Sequence, residues 1–78
     1  MRIRLYGRLG DAIGREAQVD APDGCTVAEV RQILGSAHPS ATEILRRSRA
    51  YAGDRMVADD QRLSTSDVLE FLPPVSGG

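Results

Sequence analysis

Val68-Leu69-Glu70-Phe71-Leu72-Pro73-Pro74-Val75-Ser76-Gly77-Gly78 closes the sequence. Its first five residues form a strand-like run with Leu69 and Phe71 in phase on one face, which leaves Leu72 outside. Two prolines then end the strand, because proline cannot donate to a ladder. A Gly-Gly end packs against nothing and loses the most conformational freedom on being fixed, so residues 75–78 are expected to form a flexible tail after a folded domain of residues 1–74. With no Cβ on Gly77 or Gly78, a narrow slot in another protein can close around the tail and reach the carboxylate of Gly78. The pattern is that of a substrate for a partner enzyme.

Working back from this strand, the chain supplies a sheet and a helix to complete it. Arg2-Ile3-Arg4-Leu5-Tyr6 alternates polar and apolar residues and predicts a strand burying Ile3 and Leu5. Gly7, Gly10, Asp11 and Gly14 break the chain into a loop, from which Leu9 and Ile13 can fold back onto the core. Ala17-Gln18-Val19-Asp20-Ala21 alternates again and pairs with the first strand as an antiparallel hairpin. Thr26-Val27-Ala28-Glu29 is a capping box; the helix it opens carries Val27, Val30, Ile33 and Leu34 on one stripe and stops at Gly35. Ser40-Ala41-Thr42-Glu43 predicts a second box and a shorter helix with Ile44 and Leu45 inward. Ala50-Tyr51-Ala52 and Arg55-Met56-Val57 are short strands about a Gly53-Asp54 turn, and Leu63 pins the loop before the final strand. Hairpin, crossing helix and returning strands make an α+β fold of the ubiquitin-like, β-grasp kind. Its mixed sheet has one main helix packed on one face, with the last strand beside the first and parallel to it.

Composition narrows the function. Seventy-eight residues with 41% apolar content give one small, mostly aliphatic core, and a net charge of −1 carries no broad footprint for nucleic acid. No apolar run approaches a membrane span and no signal-peptide pattern follows Met1, so a cytoplasmic home is expected. Cys25, the single cysteine, excludes an internal disulfide and reads as a packing residue stapled against Val30. His38, the single histidine, has no partner with which to hold a metal. All ten basic residues are arginine. That bars isopeptide bonds between copies of the chain, and it is also what coding bias produces in a sequence rich in Ala, Gly and Asp.

The order of elements, the length and the tail Phe71-Leu72-Pro73-Pro74-Val75-Ser76-Gly77-Gly78 together resemble the MoaD/ThiS family of ubiquitin-like sulfur carriers, and within it the small subunit of molybdopterin synthase. The resemblance implies a cycle in which a ubiquitin-activating-type adenylyltransferase uses MgATP to adenylate Gly78. A persulfide from a sulfurtransferase or desulfurase then leaves a thiocarboxylate, which donates its sulfur at the large subunit of molybdopterin synthase. The carrier itself binds no cofactor and is not catalytic alone. Thr65-Ser66-Asp67 stands where the family often has Asp-Gly-Asp, and Gly53 where an Asn is frequent, which leaves open the pathway served.

The same resemblance sets Tyr6, Met56 and Phe71 opposite apolar docking residues of the family. Alternation places Arg2, Arg4, Tyr6 and Arg8 on the sheet face away from the helix, where the arginines either form a solvated face or meet acidic patches on the activating enzyme. Tyr6, Met56, Leu72 and Pro73 are therefore candidate partner contacts, with Phe71 shared between core and interface. Three other readings stand beside the molybdopterin one. They are a sulfur carrier for thiamin, cysteine, tRNA thiolation or a secondary metabolite, a protein modifier attached through Gly78, and a plain interaction domain.

Overall fold

The structure, a computed structural model, describes residues 1–74 of the chain. In order it contains β1 (Arg2–Leu5), α1 (Gly7–Ile13), β2 (Glu16–Gln18), α2 (Val27–Ala37), a 3-10 turn (Pro39–Ala41), α3 (Thr42–Arg47), β3 (Arg49–Ala52), β4 (Arg55–Val57) and β5 (Val68–Leu72). The five strands form one mixed sheet in the order β2-β1-β5-β3-β4. β1 and β5 run parallel with Ile3 opposite Leu69 and Leu5 opposite Phe71; the other three pairings are antiparallel. This is the ubiquitin-like α+β arrangement expected from the pattern, with the last strand at the centre of the sheet.

Alternation explains the core. Ile3, Leu5, Ala50, Val57, Leu69 and Phe71 leave one sheet face and meet Val27, Val30 and Leu34 of α2, Leu45 of α3 and Leu9 of α1. Burying each large aliphatic side chain contributes about 1.5–3 kcal/mol, which suffices for a chain of this size. Cys25 is 2% exposed and burial pushes its thiol pKa up, so it packs as a neutral apolar group. Leu63 is buried as expected; its N–H donates to the Cys25 carbonyl (2.8 Å), and its carbonyl accepts from Gly24 N–H (2.7 Å).

Four local expectations are corrected. The stretch expected to be a loop is the helix α1, because Leu9 is fully buried and that burial outweighs the helix cost of its glycines, about 1 kcal/mol each. Gly10 serves packing, since a Cβ there would lie 3.1 Å from the Leu5 carbonyl oxygen. Ladder pairing of β2 ends at Gln18, although burial keeps alternating through Val19 and Ala21. α2 runs past Gly35 to Ala37 and stops before His38-Pro39, where proline forbids helical geometry in the residue ahead of it. The Ser40–Glu43 box does not form. Ala41 caps α3 without a side-chain bond, Thr42 Oγ1 donates to the Gly35 carbonyl (3.3 Å), and Glu43 is held by Arg46.

The stripe on α2 is also different. Its capping box is made as predicted, with Glu29 N–H donating to Thr26 Oγ1 (3.2 Å) and Thr26 N–H to Glu29 Oε1 (3.4 Å). Ile33, however, is 36% exposed. At 100° per residue the centre of the Val27–Val30–Leu34 arc lies closer to position 31 than to 33, and position 31 is arginine. Arg31 Nε donates to Asp59 (2.9 Å), and Nη1 donates to Ser48 Oγ (2.9 Å) and to the Leu45 carbonyl. The guanidinium carbon sits 5.0 Å from the centroid of the Phe71 ring. Arg31→Ala should lower the stability of the domain by about 2–3 kcal/mol, and Arg31→Lys should restore only part of it, because an ammonium cannot bond in a planar fork while lying on a ring. Urea melts of the three chains check this; equal midpoints would show that the cluster carries no stability.

Candidate functional site

The sheet delivers the end of the chain to one rim. β5 is flanked by β1 and β3, so it is paired on both sides from Leu69 to Phe71 and with β3 alone at Leu72, and Tyr6 N–H donates to the Phe71 carbonyl (3.3 Å) at the last step on the β1 side. Pro73 and Pro74 then leave the ladder. Pro73 is half-buried against the start of α1, where Gly7 has φ +57° and an added Cβ would meet Pro73 Cγ at 3.1 Å. Glycine is required here twice, once by its backbone angle and once by the close approach. Val75, Ser76, Gly77 and Gly78, the expected reacting tail, lie outside the described residues.

The expected docking residues separate into two groups. Tyr6 (43% exposed), Met56 (62%) and Leu72 (40%) all stand outside the core. Phe71 is fully buried, which corrects its shared assignment: its ring lies against Arg31 of α2, and the apolar side chain accessible beside it is Leu72. Arg2 and Arg4 are exposed on the open sheet face, but Arg8 belongs to α1 and leaves the alternation that placed it with them. Across the open face the register aligns Glu16, Arg4, Glu70, Tyr51 and Met56 in one row. Tyr6 Oη donates to Glu70 Oε2 (2.5 Å), and the two residues border a shallow hollow of about 230 Å³ with Tyr51, Gly53 and Leu72.

Tyr51 and Glu70 were not anticipated at this site. Tyr51 lies in a three-residue alternation too short to fix its face, and the Tyr6–Glu70 bond spans two strands whose pairing is known only from the fold. Among the described residues no group of three or more His, Cys, Asp or Glu side chains could hold a metal, and no helix is long and apolar enough to cross a membrane. The open face carries alternating charge and apolar contacts, a mixture suited to docking.

The Tyr6–Glu70 bond has a measurable signature. Donation to the carboxylate, with some desolvation and the carboxylate charge, raises the Tyr6 pKa above its ordinary value of 10.0. The stabilisation is therefore complete below that ordinary value and is lost as pH rises through the raised one. In a Tyr51→Phe background, absorbance titration should place Tyr6 ionisation above 10, and adding Glu70→Gln should bring it down. A titration unmoved by Glu70→Gln would show that the bond is absent in solution.

Comparison with known proteins fits this architecture. SAMP1 from Haloferax volcanii superimposes with a TM-score of 0.83 at 24% identity, covering 99% of this chain and 97% of that one. A second structure of H. volcanii small archaeal modifier protein 1 gives 0.80 at 22% identity over 95% of each chain. A Pyrococcus furiosus protein described as molybdopterin converting factor, subunit 1, gives 0.82 at 20% identity, again over 95% of each chain. At these identities the likeness is one of fold. The family is given by sequence: the model of the ThiS family matches residues 3–78, from β1 through the final glycine, and the chain belongs to the ThiS family.

Proposed function

We propose that this protein is a sulfur carrier that works through the carboxylate of Gly78, as the small subunit of a molybdopterin synthase. The observation that carries the reading is the end of β5. A central strand, paired on both sides, leads directly to Pro73, seated on α1, and Pro74, with Gly77 and Gly78 three and four residues beyond Pro74. A rigid root followed by residues without side chains suits an end that must enter a narrow active site. Membership in the ThiS family and a fold shared with a protein described as molybdopterin converting factor, subunit 1, support the same reading.

The chemistry follows from the carboxylate. Carboxylates are poor acyl donors because oxide is a poor leaving group. A ubiquitin-activating-type adenylyltransferase joins the Gly78 carboxylate to AMP from MgATP and releases pyrophosphate. The terminal sulfur of a persulfide on a sulfurtransferase or desulfurase attacks the acyl carbon and AMP leaves. A thiol then cleaves the sulfur–sulfur bond, and Gly78 keeps one sulfur as a thiocarboxylate. The large synthase subunit takes that sulfur into the dithiolene of molybdopterin. MgATP and the acids and bases of each step belong to the partners, and the chain acts in the cytoplasm between them.

A second reading is favoured by one comparison, the fold shared with a protein named a small archaeal modifier. Both readings begin with the adenylate and part at the nucleophile, persulfide in one and a lysine amine of a target in the other. Intact mass spectrometry after incubation with MgATP, the adenylyltransferase and a persulfide donor should show one oxygen replaced by sulfur at Gly78. Deleting Gly77 and Gly78 should abolish this without changing the thermal melt, because glycines have no side chain to bury. An unchanged mass beside Gly78-linked lysine conjugates would select the modifier reading instead.

A further inference from the structure

A cleft of about 260 Å³ flanks the root of the tail, lined by Pro73 and Pro74 on one side and by Arg8, Ser40, Ile44 and Arg47 on the other. Its charge is one-sided. Among the described residues Glu43 is the one acid at its edge, and it is held by both ends of the Arg46 guanidinium, Nε at 2.9 Å and Nη2 at 2.5 Å. Among the described residues neither Arg8 nor Arg47 makes an ion pair. One carboxylate thus faces the guanidinium groups of Arg8, Arg46 and Arg47, and the cleft keeps a positive excess on a chain whose net charge is −1.

Neither arginine is explained fully by the helix that bears it. Arg8 lies in the first turn of α1, where the helix dipole disfavours a cation and no acidic residue accompanies it. Arg47 ends α3, a helix of six residues that already has Arg46 in its last turn. From Pro74, residues 75–78 can reach at most about 14 Å. Any enzyme that receives the Gly78 carboxyl must therefore bring its rim close to Pro74, and that rim covers the cleft. Covering two arginines with apolar or basic surface would leave their charges buried and unpaired.

We infer that this cleft is a docking site for carboxylate side chains on the rim of the enzyme that receives the tail, with Arg8 and Arg47 as the paired anchors. The inference rests on the reading of Gly78 as an acyl donor and adds a second contact, around the corner from the open sheet face. Guanidinium groups bind carboxylates through two parallel hydrogen bonds, so the contact fixes the orientation of the carrier as well as its affinity. The half-buried Ile44 and the two prolines offer the apolar floor that excludes water from those bonds.

The test is ATP–pyrophosphate exchange by the adenylyltransferase from the same organism, with the full chain as varied substrate. Arg8→Glu/Arg47→Glu should raise KM by about tenfold or more with kcat within about twofold, and Arg8→Gln/Arg47→Gln should raise it less. The gap should narrow at high ionic strength. Arg62→Glu, on an exposed arginine that donates to the Gly24 carbonyl, controls for net charge against each single variant, Arg8→Glu or Arg47→Glu, and thermal melts confirm that each chain is folded. An unchanged KM, an equal rise with Arg62→Glu, or a fall in kcat alone would overturn the docking site while leaving the acyl-donor reading in place. No exchange with the unmodified chain, from an enzyme shown to bind ATP, would overturn both.

Discussion

The Phe71 ring lies under the Arg31 guanidinium, and four pieces of chain meet at that contact. α2 supplies the arginine, β5 the ring, the end of α3 supplies Ser48 Oγ and the Leu45 carbonyl, and the segment after β4 supplies Asp59. A charge so nearly enclosed is costly unless every donor finds an acceptor. Here Nε and Nη1 have acceptors, and among the described residues no buried side-chain nitrogen or oxygen lacks a hydrogen-bond partner. The result is a fixed β5, which matters because Pro73 begins two residues after Phe71.

The two faces of the sheet do different work. The helical side holds the aliphatic core, and its polar groups serve packing. The open side displays arginines, glutamates, Tyr6, Met56 and Leu72, a mixture suited to partners that come and go. Its ion pair, Arg2 with Glu16 at 3.6 Å, is exposed and adds little stability. Both edge strands, β2 and β4, are only three residues long, which limits unwanted pairing with other chains.

Much of this was legible in the sequence because period and capping are local signals. β5 has the bounds that Pro73 and the Leu69/Phe71 phase imply, and the Thr26–Glu29 box marks the start of α2. What escaped depends on tertiary contact. Gly7 and Gly10 carry a loop signature, yet their lack of a Cβ is used to bring a helix against Pro73 and the Leu5 carbonyl. Arg31 shows no hydrophobic signal, and its place in the core arc is visible only once Phe71, Ser48 and Asp59 surround it. Ile33 filled that place in the apolar pattern and turned out to face solvent. At the candidate site, alternation gave the exposure of Tyr6, Met56 and Leu72, whereas Arg8 changed surroundings when its loop became a helix.

A central strand that arrives last has a kinetic meaning. Without β5, β1–β2 and β3–β4 are two separate hairpins with no ladder between them, and isolated hairpins are marginal in water. Closing the sheet joins Arg2 to Val68 across nearly the whole chain, so loop-closure entropy is spent before the pairing returns it. Folding should therefore be all-or-none and slower than for a helical domain of this size. Half-folded chains then expose no organised root beside Pro73, and a partner that reads that root meets only finished molecules.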